Sequence, residues 1–337
     1  MKEESLFKKI FSGRLPFIII FFVLGILSGW LFKPDFLNKV NPTKEAAGIR
    51  QGGYSFINPL LECETGSQLE DKNLKQINHK IQDFVNKAIS QNQTNHISVY
   101  YRDLNNGPWF GVNEQENFSP ASLLKVPLMM AYLKQAESEN GLLDKKIKFN
   151  LEDIKLQDFV ESERTLEPGK FYTVSELIEK MIIFSDNDAF GLLTTNINAD
   201  QINQVHIDLG LTVPEENTPQ DFVSVVSYAS LFRVLFNASY LDRNDSEYAL
   251  GLLNQTEYKD GLVAGVPENI IVSHKFGIRN VDAPEKQLHD CGIIYNPEHP
   301  YLLCVMTRGN NLDELTGIIR DISQLVYQEI DVQYKKE

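Results

Sequence analysis

The chain has 337 residues and a formal net charge of −14, long enough for one large domain or two small ones with a proper core. No basic stripe follows the N-terminus, which excludes the clustered Lys and Arg that a nucleic-acid partner requires. Three cysteines (Cys63, Cys291 and Cys304) and six scattered histidines, with no C-x-x-C or H-E-x-x-H, make no disulfide framework and no metal site, so no metal or other cofactor is predicted.

Residues 1–14 carry Lys2, Lys8, Lys9 and Arg14 against Glu3 and Glu4, and residues 15–32 then run without a charge. At ~1.5 Å per residue that run reaches roughly 27 Å, enough to cross a bilayer core. Positive charge ahead of the span keeps the N-terminus inside. This predicts a cytoplasmic tail (1–14), a single-pass signal anchor (15–32) and an extracytoplasmic remainder. No A-x-A-like site follows the span, so an uncleaved anchor is favoured over its alternative, a cleaved signal peptide. Residues 33–70 mix Pro, Gly, Asn and charge and read as a linker, leaving 71–337 as the folded domain.

Within the domain, Leu74, Ile77, Ile81, Phe84, Val85 and Ile89 recur at helical spacing. Residues 96–104 alternate like a strand, Asn105-Asn106-Gly107 turns, and residues 108–112 return, predicting a hairpin. Next stands Ser119-Pro120-Ala121-Ser122-Leu123-Leu124-Lys125, a small-residue turn entering an apolar helix. Ser122 and Lys125 there share one helix face about a turn apart. A serine hydroxyl needs a base before it attacks anything, and a buried lysine beside another cation can serve, because desolvation and like charge both lower its pKa. Thr173 and Glu176 form a capping box for the helix that ends at Ser185-Asp186-Asn187. Residues 220–257 read as helical. Strands are predicted over 270–277, 288–295 and 301–308, and an amphipathic helix over 312–326 closes the chain. Strands at both ends with helices between them predict an antiparallel sheet built from distant segments, faced by helices and a helical subdomain.

Three motifs thus stand in order: Ser122-x-x-Lys125, Ser185-Asp186-Asn187 and Lys275-Phe276-Gly277. Together they resemble the signature of class A β-lactamases and penicillin-binding proteins. The likeness extends over roughly residues 75–330, with Gly261-Leu262-Val263-Ala264-Gly265 ahead of the third motif also resembling that family. It implies an α+β fold of the β-lactamase/transpeptidase type, with a central antiparallel sheet flanked by helices plus a helical subdomain. It implies Ser122 as the acylated nucleophile, Lys125 as the residue handling its proton, and Ser185 as the relay to the leaving nitrogen. Asn187 would orient substrate and lysine, and Lys275 would bind a substrate carboxylate. Gly277 and Ile278 follow as substrate-binding positions, the N–H groups of Ser122 and Ile278 forming the oxyanion hole. The implied partner is a β-lactam or a peptidoglycan peptide.

Two departures qualify the likeness. Phe276 stands where the family has a hydroxyl residue that helps hold the substrate carboxylate, a loss worth roughly 1–3 kcal/mol; Arg279 either compensates or is an exposed turn residue. Thr218-Pro219-Gln220-Asp221 resembles the start of the helix after the family's ω-shaped loop, which leaves too few residues for that loop, and neither Glu215 nor Glu216 sits in the pattern of its water-activating glutamate. A slow hydrolase, a D-Ala-D-Ala carboxypeptidase with slow deacylation, or a non-catalytic wall-binding module of the same fold are the alternatives to an efficient β-lactamase. His274 reads as structural. Cys291 and Cys304 fall on neighbouring predicted strands, either as a disulfide or as two buried thiols.

Overall fold

Segments from the two ends of the domain pair into one sheet, and everything between them is laid over it. The computed structural model describes residues 49–50, 52–62, 72–105, 107–150, 165–280, 285–297 and 299–334. The predicted anchor at 15–32 and Cys63 lie outside the described residues, among which no helix is long and apolar enough to cross a membrane.

A two-stranded hairpin, β1 (Ile49–Arg50) with β2 (Leu60–Glu62), precedes helix α1 (Lys72–Ser90). Strands β3 (His96–Asp103), β4 (Trp109–Val112) and β5 (Asn117–Phe118) lead to a 3₁₀ turn, Ala121–Leu124, that runs directly into α2 (Lys125–Ala136). Then come β6 (Lys146–Lys148), β7 (Phe171–Thr173), α3 (Val174–Ile183), α4 (Asn187–Asn196) and α5 (Ala199–Asp208). Strand β8 (Val223–Ser224), α6 (Val225–Phe236) and α7 (Arg243–Asn254) follow. The last elements are β9 (Val272–Arg279), β10 (Lys286–Ile294), β11 (Tyr301–Gly309) and α8 (Leu312–Tyr334).

The five-stranded sheet has the order β4-β3-β11-β10-β9, every pair antiparallel. Its central strand, β11, is buried on both faces. Tyr301, Leu303 and Val305 join α1 and α8 in one core, while Leu302, Cys304 and Met306 join the helical block in the other. That alternation is the period of two a sheet imposes. Helix α8 supplies Leu315, Ile318, Ile319, Ile322, Val326 and Ile330 to the first core, each burial worth about 1.5–3 kcal/mol. Cys291 and Cys304 lie directly opposite one another on β10 and β11 and are joined as a disulfide.

Two expectations change. The helix expected within 220–257 starts at Val225, with the Ser224 hydroxyl accepting from Ser227 N at 3.3 Å as its N-cap, and a break at 237–242 divides it in two. Thr218-Pro219-Gln220-Asp221 therefore belongs to the preceding loop. The Asp221 carboxylate, which could have capped a helix, instead accepts from Arg308 Nη2 at 2.9 Å and Gln287 Nε2 at 3.1 Å. Tertiary partners override the local turn.

The second change concerns the linker at 33–70, of which residues 55–57 are docked. The Glu247 carboxylate accepts three successive backbone N–H groups, Ser55, Phe56 and Ile57, at 2.7, 2.9 and 2.9 Å. Tyr295 Oη donates to the carbonyl of Phe56 at 3.0 Å, and Ile57 is buried in the core. Composition marks 33–70 as a spacer; a carboxylate far away in sequence ties its residues 55–57 to the domain.

Candidate active site

The nucleophile turn owes its geometry to a short 3₁₀ segment. In a 3₁₀ turn the side chains at i and i+3 eclipse, and Lys125 Nζ accordingly lies 3.0 Å from Ser122 Oγ. Ala121 enters the turn at φ +46°, a left-handed conformation that costs a non-glycine residue about 1 kcal/mol or more.

The turn is held from below by the sheet. On β10, Gln287 and His289 project to the same face two residues apart and grasp one residue between them. Ser119 N donates to Gln287 Oε1 at 2.9 Å, and the Ser119 carbonyl lies 3.0 Å from His289 Nε2. A carbonyl only accepts, so Nε2 carries the proton. Burial pushes His289 down to about 3, which keeps that tautomer neutral at working pH. Tyr228 Oη on α6 donates to the carbonyl of Leu123 at 3.0 Å. Sequence reasoning missed these three supports; the trace they leave in the sequence is Gln287 and His289 two residues apart on one face of β10, a face that continues with Cys291 and Ile293.

Edge strand β9 closes the second side. Gly277 lets the strand approach closely: a Cβ at that position would stand 3.1 Å from both the Pro120 carbonyl and Leu123 Cγ, so the turn would have to give by a few tenths of an ångström. Ile278 follows it on the same edge, beside the turn.

The third side is the link between α3 and α4. Ser185 adopts φ +55°, and both of its oxygens meet Lys125 Nζ, the carbonyl at 2.5 Å and Oγ at 3.0 Å. Asn187 Oδ1 accepts from the same amine at 2.7 Å. Lys275 Nζ reaches Ser185 Oγ from β9 at 3.0 Å. The structure thus brings Ser122, Lys125, Ser185, Asn187 and Lys275 together, with Ser185 Oγ bridging the two amines.

Electrostatics follow from burial. Lys125 is 1% exposed and Lys275 0%. Burial pushes Lys125 down to about 7, against the opposing charge of Asp186. Lys275 is held well below the usual lysine range, first by burial and then by the nearby Lys125 charge, with Asp290 opposing. At that pKa a large share of Lys125 is neutral near pH 7. A neutral amine keeps two N–H donors, which the Ser185 carbonyl and Asn187 can accept, and one lone pair left to receive the Ser122 proton.

Asp186 serves a different purpose from its neighbours. It is fully buried, caps α4 by accepting Ala189 N at 2.9 Å, and accepts both Thr165 N at 2.7 Å and Thr165 Oγ1 at 2.6 Å. Removing the carboxylate strands three donors, the buried Ala189 N–H and two from half-buried Thr165, at about 1–3 kcal/mol for a buried one and less for the others. An Asp186→Ala protein is expected to lose on the order of 3 kcal/mol or more in urea unfolding; a loss under about 1 kcal/mol would show that water replaces the carboxylate.

His274 is structural: its Nδ1 lies 2.7 Å from Asp290 Oδ1, both side chains fully buried. Arg279 is committed elsewhere, bonding Gln220 Oε1 and lying 3.6 Å from Asp221. Glu215 and Glu216 are exposed. No cluster of His, Cys, Asp and Glu able to hold a metal occurs among the described residues.

The profile of the Beta-lactamase enzyme family matches residues 77–330. A beta-lactamase of Proteus vulgaris is 24% identical over 265 residues, covering 74% of this chain and 82% of its own length. Beta-lactamase OXY-2 of Klebsiella oxytoca is 25% identical over 204 residues, 56% of this chain and 68% of its own. Among solved structures, PBP-A superimposes with a TM-score of 0.66 at 22% identity, over 77% of this chain and 97% of that one. A beta-lactamase from Chitinophaga pinensis gives 0.66 at 19% identity, over 75% and 98%. The structural likeness shows the same α+β fold, and the profile runs through all three motifs that the fold gathers around Ser122. The chain belongs to the beta-lactamase enzyme family and is a β-lactamase-like serine hydrolase.

Proposed function

We propose that Ser122 is the acylated nucleophile of a membrane-anchored, extracytoplasmic hydrolase acting on β-lactams and on cell-wall peptides of related shape. One observation carries the reading: a buried amine, Lys125 Nζ, lies 3.0 Å from Ser122 Oγ and 3.0 Å from Ser185 Oγ. A proton route therefore runs from the nucleophile to a second hydroxyl through one base.

The chemistry balances on these groups. Ser122 Oγ attacks the substrate carbonyl carbon as its proton passes to the Lys125 lone pair. The N–H groups of Ser122 and Ile278 are assigned to the oxygen on which charge develops. Lys125 returns the proton through Ser185 to the leaving nitrogen, the C–N bond breaks, and an ester to Ser122 remains. Asn187 holds the amine in place. Lys275 keeps Ser185 Oγ oriented by donating to it.

The anchor rests on sequence alone: an uncharged run at 15–32 behind Lys2, Lys8, Lys9 and Arg14, a pattern that leaves the enzyme domain outside. An acyl-enzyme complex with penicillin-G has been solved for a mutant of PBP-A, which shares this fold at 23% identity, and that supports a β-lactam as acyl donor. The experiment is intact-protein mass spectrometry after incubation with excess penicillin. The expected result is a single added penicillin mass, absent in Ser122→Ala. Labelling that persists in Ser122→Ala would move the nucleophile elsewhere.

A further inference from the structure

Lys275 stands where the resemblance places recognition of a substrate carboxylate, yet its amine is already enclosed. It donates to Ser185 Oγ at 3.0 Å and to the carbonyl of Phe276 at 3.1 Å. Its third side faces the Phe276 ring, whose centroid is 4.1 Å from Nζ, close enough for a cation–π contact. That ring is held in place by stacking on Tyr258, centroids 4.4 Å apart at 25°. Lys275 is fully buried, while Phe276 and Tyr258 are half-buried, so the Phe276 ring covers an amine that itself touches Ser185 Oγ.

The other cation on β9 offers no substitute. Arg279 bonds Gln220 and lies 3.6 Å from Asp221, so its charge is matched from the loop ahead of α6. An incoming carboxylate would have to shed its water against two aromatic rings with both nearby cations already engaged, a costly desolvation. An ester or amide at the same place loses little, and its flat, weakly polar group suits an aromatic wall.

We infer that this site prefers an acyl donor whose leaving side is uncharged, an amide or ester in place of a free carboxylate (a bond inside a longer peptide), and that Phe276 sets the preference. The inference rests on the acyl-transfer reading above. Its step is the same: the Ser122 Oγ–C bond forms, the C–N or C–O bond to the leaving group breaks, and the Ser122 proton travels by Lys125 and Ser185 to the leaving atom.

The test compares two matched donors, an N-acylated D-alanyl-D-alanine with a free C-terminal carboxylate and its C-terminal amide, by kcat/KM. Wild type is expected to favour the amide on the order of tenfold. Phe276→Thr is expected to shift the ratio towards the carboxylate by a similar factor, and Phe276→Leu, which keeps an apolar side chain, to leave the amide preferred. The ratio is taken within each protein, so any loss of folded fraction cancels. A wild-type preference for the free carboxylate, or an unchanged ratio in Phe276→Thr, overturns the inference and leaves acylation at Ser122 standing. Failure of both donors in a protein that penicillin acylates at Ser122 overturns this inference alone, and failure of penicillin as well overturns the acyl-transfer reading with it.

Discussion

A Lys125→Met protein is expected to acylate Ser122 about 10³-fold more slowly than wild type, within the roughly 10²–10⁴ range attributed to a positioned general base. Methionine fills a similar buried volume without a proton-accepting nitrogen, so packing of the first turn of α2 persists while the route from Ser122 to Ser185 is cut. The wild-type profile carries the sharper signature. Lys125 must be neutral to take the proton, and burial pushes it down to about 7. Below that pH its neutral fraction falls about tenfold per unit, so acylation should climb with pH through about 7 and then level. The same displacement touches stability. Between pH about 7 and the ordinary lysine value of 10.5 the unfolded chain holds a proton on this amine that the folded chain has lost. Stability attributable to Lys125 therefore rises with pH across that window. Penicillin acylation followed at a series of pH values, for wild type and Lys125→Met, checks both parts. A Lys125→Met protein that keeps the wild-type rate and its inflection would assign the base to another residue.

How much of this is legible in the sequence depends on how far each feature reaches along the chain. The serine–lysine pair sits within one turn, so its spacing alone places both side chains on one face. The capping box at Thr173 and Glu176 forms as expected, because its two hydrogen bonds are local. The antiparallel sheet of distant segments and the gathering of Ser185 and Lys275 around Ser122 come from the element order, the ordered motifs and the resemblance they carry. What stays hidden needs a partner remote in sequence. The Glu247 carboxylate that docks residues 55–57 lies 190 or more positions away, and the Gln287 and His289 grip on Ser119 spans 168 and 170. The helix boundary near 220 is misread for the same reason. A proline and an aspartate there look like a helix start until Arg308 and Gln287 claim the carboxylate.

Once formed, the acyl-enzyme is expected to persist. Releasing it requires a water next to the ester and a base to activate that water. On the α5 side of the nucleophile turn, the loop ahead of α6 places Leu211, Thr212, Phe222 and Val223 against Pro120, Leu124 and Pro127. The cavity left among them is about 10 Å³, at the threshold of roughly 10–15 Å³ for a single water. No acidic side chain is among the residues that line it; its one imidazole, His206, is tied through Nδ1 to the Thr212 carbonyl at 2.7 Å, and Glu215 and Glu216 on that loop are exposed. No carboxylate among the described residues lines this cavity, and lack of a positioned carboxylate base slows a step by about 10²–10⁴, more than the tenfold penalty on acylation expected from Phe276. Mixing the enzyme with excess chromogenic cephalosporin should therefore give a burst of about one product per enzyme and then a slow steady rate. Mass spectrometry during the slow phase should find most of the protein carrying the acyl group on Ser122. A linear time course with unmodified protein would mean that release keeps pace with acylation. The water and its base would then have to come from the open side of the cleft, next to Lys125.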